Sequence, residues 1–228
     1  MIILAFESSA KAASVALTRN GALLAQYFQN SGLTHSRTLL KMAEDILKNN
    51  ELSAADVGRV AVARGPGSFT GVRIGTASAK GFAWGADIPA RAVSSLRAAA
   101  SVFADFEGFV ICPAMDARRG EVYNALFEAS EGAIKRLAPD RALPADSVAE
   151  EAAASGKTYL LTGDGAGICA ESFKERRAPY RLAPELLQLQ CAYGVALAAE
   201  GAPDVSAAEL SPDYLRVPQA ERLLRQRQ

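Results

Sequence analysis

The sequence predicts an α/β protein of two lobes. Three observations carry that expectation. Short apolar runs of strand length alternate with segments of helical period along the whole chain. Asn20-Gly21 sits between two apolar runs, a strong short-range hairpin signal. A similar strand-and-helix plan then recurs after a break near residues 104–108, giving an expected first lobe over 1–104 and, over 105–228, a smaller or reduced second lobe plus a basic tail. That tail carries Arg216, Arg222, Arg225 and Arg227, open to RNA phosphates or simply solvated. The 228 residues suffice to bury a core without disulfide or metal staples.

Ile2–Phe6 reads as a buried strand, and Ser14–Thr18 and Leu23–Phe28 complete a three-stranded opening. Leu39, Leu40, Met42, Ala43, Ile46 and Leu47 repeat at helical spacing after a cap at Thr34 or Ser36, and Asn49-Asn50 ends that helix. Ser53 caps a short turn, and Arg59–Ala63 is a strand. A glycine-rich loop then opens a long helix to about Trp84. Ile88–Val93 is a strand, and Ser94 caps a helix to about Phe103.

In the second half, Phe109–Met115 and Glu121–Phe127 are strands joined by a charged turn, followed by a polar stretch around 131–141. Asp146 or Ser147 caps an alanine-rich helix. Thr158–Thr162 is a strand, a helix covers roughly 168–176, and Leu186–Ala199 continues a helix begun near Pro184.

Composition excludes several functions. Lys+Arg and Asp+Glu balance at 25 each, so the chain lacks the basic excess of a dedicated nucleic-acid binder. The first half is mildly basic and the second mildly acidic. MIILAF has no basic n-region, and no apolar run approaches the ~18 residues that span a bilayer, so the expected setting is cytoplasmic, with no membrane. The three cysteines form no CxxC pair. One histidine, His35, rules out any two-histidine metal motif and leaves a Ser-His or Cys-His mechanism dependent on that residue alone. No catalytic and no metal-ligating residue is therefore expected.

Several loops suit anions. Gly65, Gly67 and Ser68 lie between a strand and a helix, where free N–H groups can hold a phosphate, yet no Walker lysine follows. Glu7, Ser8 and Ser9 end the first strand and suit a phosphate–magnesium group, and Asp164-Gly165 ends a later one and suits a nucleotide ribose or phosphate. Each of these also serves as an ordinary turn. Gly67, Gly71, Gly75, Ala79 and Ala83 recur every fourth residue, a small-residue stripe that costs roughly 1 kcal/mol of helix propensity per glycine. It fits close packing, either inside the chain or against a partner helix.

Four groups of segments together resemble the TsaB (YeaZ) family: Ile3–Ser9 with Ser14–Leu17, Thr34–Ser36 with Leu39-Leu40, Gly65–Gly75, and Asp116–Tyr123 with Pro212–Arg216. The resemblance spans nearly the whole chain, is strongest over 1–125 and is loose over 126–205. It implies an actin/hexokinase-like ATPase (ASKHA) fold, two related lobes with mixed β-sheets flanked by helices. It also implies a non-catalytic subunit in making threonylcarbamoyladenosine on tRNA. Such a subunit docks a TsaD-like transferase and a TsaE-like ATPase, forms a homodimer in isolation and meets tRNA only through the complex. The docking residues implied are His35, Leu39, Leu40, Met42, Ala43 and Ile46 on one helix and Gly71, Gly75, Ala79 and Ala83 on the next. No tightly bound cofactor is expected, ATP or ADP at a subunit interface being the one candidate. Glu7 departs from the family's usual aspartate, which argues against an inherited metal–phosphate geometry. The alternative is a small-molecule kinase or ATPase of this fold acting alone. The older glycoprotease label of the family needs metal ligands that the residues do not supply.

Overall fold

The computed structural model describes residues 1–216. Arg222, Arg225 and Arg227 of the basic tail lie outside the described residues.

The first lobe runs β1 (Ile2–Glu7), β2 (Ala13–Arg19), β3 (Ala22–Gln29), α1 (His35–Asn49), β4 (Arg59–Ala63), α2 (Phe69–Ala86), β5 (Ala90–Val93) and α3 (Ser95–Ser101). The second repeats the plan as β6 (Val110–Asp116), β7 (Glu121–Ser130), β8 (Ala133–Pro144), α4 (Ala145–Ser155), β9 (Tyr159–Thr162), α5 (Ala166–Glu175), β10 (Tyr180–Leu182) and α6 (Ala192–Ala199). Each set forms a five-stranded sheet, with orders β3-β2-β1-β4-β5 and β10-β9-β6-β7-β8. In each, the first three strands are an antiparallel meander and the last two join in parallel. Parallel pairs need crossover helices, which α1, α2, α4 and α5 provide.

Alternation along the strands explains the layering. In β1, Leu4 and Phe6 face a core with Leu39, Ala43, Ile46, Ala79 and Ala83 of α1 and α2. Ile3 and Ala5 face the opposite core, where Ala16, Ala61 and Ala63 meet Ala192, Val195, Ala196 and Ala199 of α6. The second lobe mirrors this, with α4 and α5 on one face and Leu96 and Ala100 of α3 on the other. The inner helices are thus exchanged: α3, from the first half, covers the second sheet, and α6, from the second half, covers the first. They cross so closely that a Cβ on Gly194 would drive into the Ala98 carbonyl oxygen.

Some sequence expectations need correction. The polar stretch around 131–141 is strand β8. Its charges and Pro139 belong to an edge strand, where a missing N–H and a charged rim are tolerated. β10 has only three residues, too short to leave a pattern. Residues 184–199 do not form one helix. Glu185–Leu187 is a 3₁₀ turn, and the chain after it is committed to the end of β9: Gly163 donates to Gln188 O at 2.7 Å and Thr162 Oγ1 to Leu187 O at 3.1 Å. α4 begins at Ala145 after Pro144, ahead of Asp146 and Ser147, and Thr34 occupies the cap position of α1 without a side-chain cap bond. The Asn20-Gly21 hairpin holds, with positive φ at both residues (52° and 82°).

Candidate functional site

A cavity of about 590 Å³ lies between the lobes. From the first lobe it is walled by the β1–β2 turn, the loop before α2 and the start of α1. From the second lobe it is walled by the turn after β6 and by Asp164. Asp213–Arg216 closes one side.

The structure divides the sequence-predicted anion residues. Ser9, Gly67, Ser68 and Asp164 line the cavity, whereas Glu7, Ser8, Gly65 and Gly165 do not. Glu7 and Ser8 are fully buried beneath it. Glu7 Oε1 accepts from Ser9 N at 2.6 Å and Ser9 Oγ at 2.5 Å, and its Oε2 has no partner. Burial pushes the Glu7 carboxyl up to about 7; the Ser9 bonds oppose that shift and Asp164 adds to it. Burial also raises Asp164. Gly65 is buried under the Asp213 carbonyl, which leaves no room for a Cβ, and its φ of 122° suits glycine.

The chain itself uses part of the glycine loop. Ser68 N donates to Ser9 O at 2.7 Å, so the first N–H at the α2 end is already used. Ser68 Oγ caps α2 by accepting from Gly71 N at 3.3 Å, and Ser8 Oγ donates to Gly71 O at 2.9 Å. A Cβ on Gly67 would meet Ser9 O, one on Gly71 would meet Ser8 O, and one on Gly75 would meet Ser8 Oγ. The small-residue stripe therefore turns inward. Gly71, Gly75, Ala79 and Ala83 are buried and let the β1–β2 turn and the sheet lie against α2.

That geometry also corrects the expected docking surface. Leu39, Met42, Ala43 and Ile46 are core residues, and only Leu40 of the α1 set is exposed, at 54%. His35 sits half-buried at the cavity wall with Nε2 2.8 Å from Ala10 O. A carbonyl only accepts, so Nε2 carries the proton and ties α1 to the β1–β2 turn. The outward face of α2 carries a second small-residue series that the sequence reading passed over. Ala77, Gly81 and Gly85 are exposed, Gly81 and Gly85 have open space where a Cβ would stand, and Trp84 beside them is 69% exposed. The missed signal was phase: the two series interleave on one helix, and only burial tells them apart.

Asp116, Arg118, Tyr214 and Arg216 line the cavity as well. They belong to the Asp116–Tyr123 and Pro212–Arg216 stretches. Arg216 is not a loose basic residue: its guanidinium grips Glu121 through two bonds of 2.7 and 2.6 Å. Among the described residues, no group of three His, Cys, Asp or Glu side chains could hold a metal ion, and no helix is long and apolar enough to cross a membrane.

The family model for TsaD, tRNA N6-adenosine threonylcarbamoyltransferase, matches residues 29–173. The tRNA threonylcarbamoyladenosine biosynthesis protein TsaB of Bacillus subtilis is 38% identical over 141 residues, 62% of this chain and 61% of that protein. The TsaB protein of Escherichia coli is 41% identical over 135 residues, 59% of this chain and 58% of that one. The matched stretch thus spans about three-fifths of each curated relative's length. YeaZ from Pseudomonas aeruginosa superposes with a TM-score of 0.77 at 30% identity, over 94% of this chain and 99% of its own. The two mixed sheets with exchanged inner helices are an actin/hexokinase-like architecture. On this agreement of sequence and fold, the chain belongs to the TsaB (YeaZ) family of tRNA threonylcarbamoyladenosine biosynthesis proteins.

Proposed function

We propose that this chain is a non-catalytic subunit in tRNA threonylcarbamoyladenosine synthesis, docking a TsaD-like transferase and a TsaE-like ATPase. The observation that carries this reading is that the chain takes part of the glycine loop for itself: Ser9 O takes the Ser68 N–H and Ser68 Oγ the Gly71 N–H, two donors that a phosphate would use, and the β1–β2 turn lies against Gly67 and Gly71. The donor set agrees. One histidine, already bonded to Ala10 O, supplies neither a metal pair nor a general base with an orienting carboxylate.

Docking falls to the outer face of α1 and α2. Leu40 on α1 and Ala77, Gly81, Trp84 and Gly85 on α2 give an exposed surface on which a partner helix can approach closely. ATP or ADP, if it takes part, sits at a junction with a partner, and tRNA is met through the complex.

The test is reconstitution. The chain alone forms no threonylcarbamoyladenosine and turns over no ATP. With TsaD-like and TsaE-like proteins it forms a stable complex and is required for modification. Modification at full rate without this chain, or ATP turnover by the chain alone, would overturn the reading and favour the stand-alone ATPase.

A further inference from the structure

The final described segment passes across the gap between the lobes. Arg91 and Arg59 hold Asp204, at 2.6 Å each, and Leu210 is buried in the first core. Asp213 N then donates to Arg64 O at 2.7 Å, beside an Arg64–Asp213 ion pair of 3.7 Å. Tyr214 stacks on Phe69 at 4.9 Å and accepts from Arg73 Nε at 2.7 Å, while the Arg73 guanidinium lies 3.9 Å over the Phe69 ring. Two residues on, Arg216 reaches the other lobe, with its two-bond grip on Glu121 and the Tyr123 ring 6.0 Å away.

We propose that Asp213–Arg216 is a strap that sets the opening of the inter-lobe cavity, and that the Arg216–Glu121 pair is its latch. One end is held by four kinds of contact on the first lobe: a backbone bond, an ion pair, a ring stack and a side-chain bond. Among the described residues, the other end meets the second lobe through the bidentate pair with Glu121 at the start of β7 and the nearby Tyr123 ring. The pair is only partly exposed, 19% at Arg216 and 32% at Glu121, so it is less screened than a surface bridge. Tyr214, Leu215 and Arg216 line the cavity. Losing the latch frees Leu215 and Arg216 from the second lobe and widens the cavity over the buried Ser9 and the half-buried Gly67, Asp116 and Ala117. The inference is independent of the scaffold reading, because it concerns the chain on its own.

Hydrogen–deuterium exchange of the full chain tests it, comparing the native protein with Arg216→Ala, Glu121→Ala and the charge-exchanged pair Arg216→Glu with Glu121→Arg. Peptides covering 66–70, 116–121 and 211–216 exchange about tenfold faster in each single variant, the scale set by losing a charge-assisted bidentate bond. The exchanged pair recovers most of that protection. Peptides from β1 and β6 stay at native rates, and circular dichroism stays native, which separates latch opening from unfolding. Unchanged exchange around the cavity in the single variants overturns the proposal. So does equal acceleration in β1 and β6, which would make the pair a general stabiliser, or no recovery in the exchanged pair.

Discussion

Glu7 holds a carboxyl where water cannot reach it. Its Oε1 is served by Ser9, its Oε2 by nothing, and burial lifts its titration from 4.5 to about 7. The folded chain therefore binds this proton more tightly than the unfolded chain. The associated stability is complete below about pH 4.5 and is lost as pH rises through about 7, by roughly 3 kcal/mol at most. Glu7→Gln keeps an acceptor for Ser9 and cannot ionise. Its melting temperature should exceed the native one at pH 8, with the gap closing toward pH 4.5; an equal gap at both pH values would show that Glu7 is not the group titrating. Asp204 has the opposite sign. Its bonds to Arg59 and Arg91 hold its carboxyl well below the usual range, so its contribution survives until strongly acid pH. The ion cluster is partly exposed, so Asp204→Ala should cost only about 1 kcal/mol in denaturant melts at pH 7.

At the scale of elements, α2 carries two small-residue series with different fates. Gly75→Leu forces a side chain into Ser8 and Val62 and should leave little folded protein. Gly81→Leu enters open space and gains helix propensity, so folding should hold or improve by under about 1 kcal/mol while binding to a TsaD-like partner falls at least tenfold. Unchanged binding in pull-downs with folded Gly81→Leu protein would remove this face from the docking surface. The same helix shows what a sequence can and cannot disclose. Spacing located the series at Gly71, Gly75, Ala79 and Ala83, because a four-residue repeat is visible in one dimension. Its direction was not, because Ser8 lies more than sixty residues away along the chain. β8 escaped for a different reason: an edge strand carries little apolar alternation and allows Pro139. The opening hairpin and β4 were legible because their signals are local. Within the cavity, Ser9, Gly67, Ser68 and Asp164 were found from turn chemistry, but Tyr214 and Arg216 reach it only by long-range folding.

For the whole molecule, the duplicated plan suggests two independent lobes, but α3 and α6 are exchanged between them. Each sheet keeps its outer helices and borrows its inner one. Heat should therefore melt both lobes in one transition, with calorimetric and van't Hoff enthalpies in agreement; two resolved peaks would show that the exchange does not couple them. Gly194→Ala should lower that single transition, since the added methyl meets the Ala98 carbonyl where the two inner helices cross. Dividing the polypeptide near residue 104 would then yield neither half as a folded product. Each fragment would leave one side of its sheet bare, the first fragment with a row of alanines along that side and the second with Ile111, Met115 and Phe127. Mixed in one tube, the two fragments should find each other and restore the fold, because each carries the cover that the other lacks.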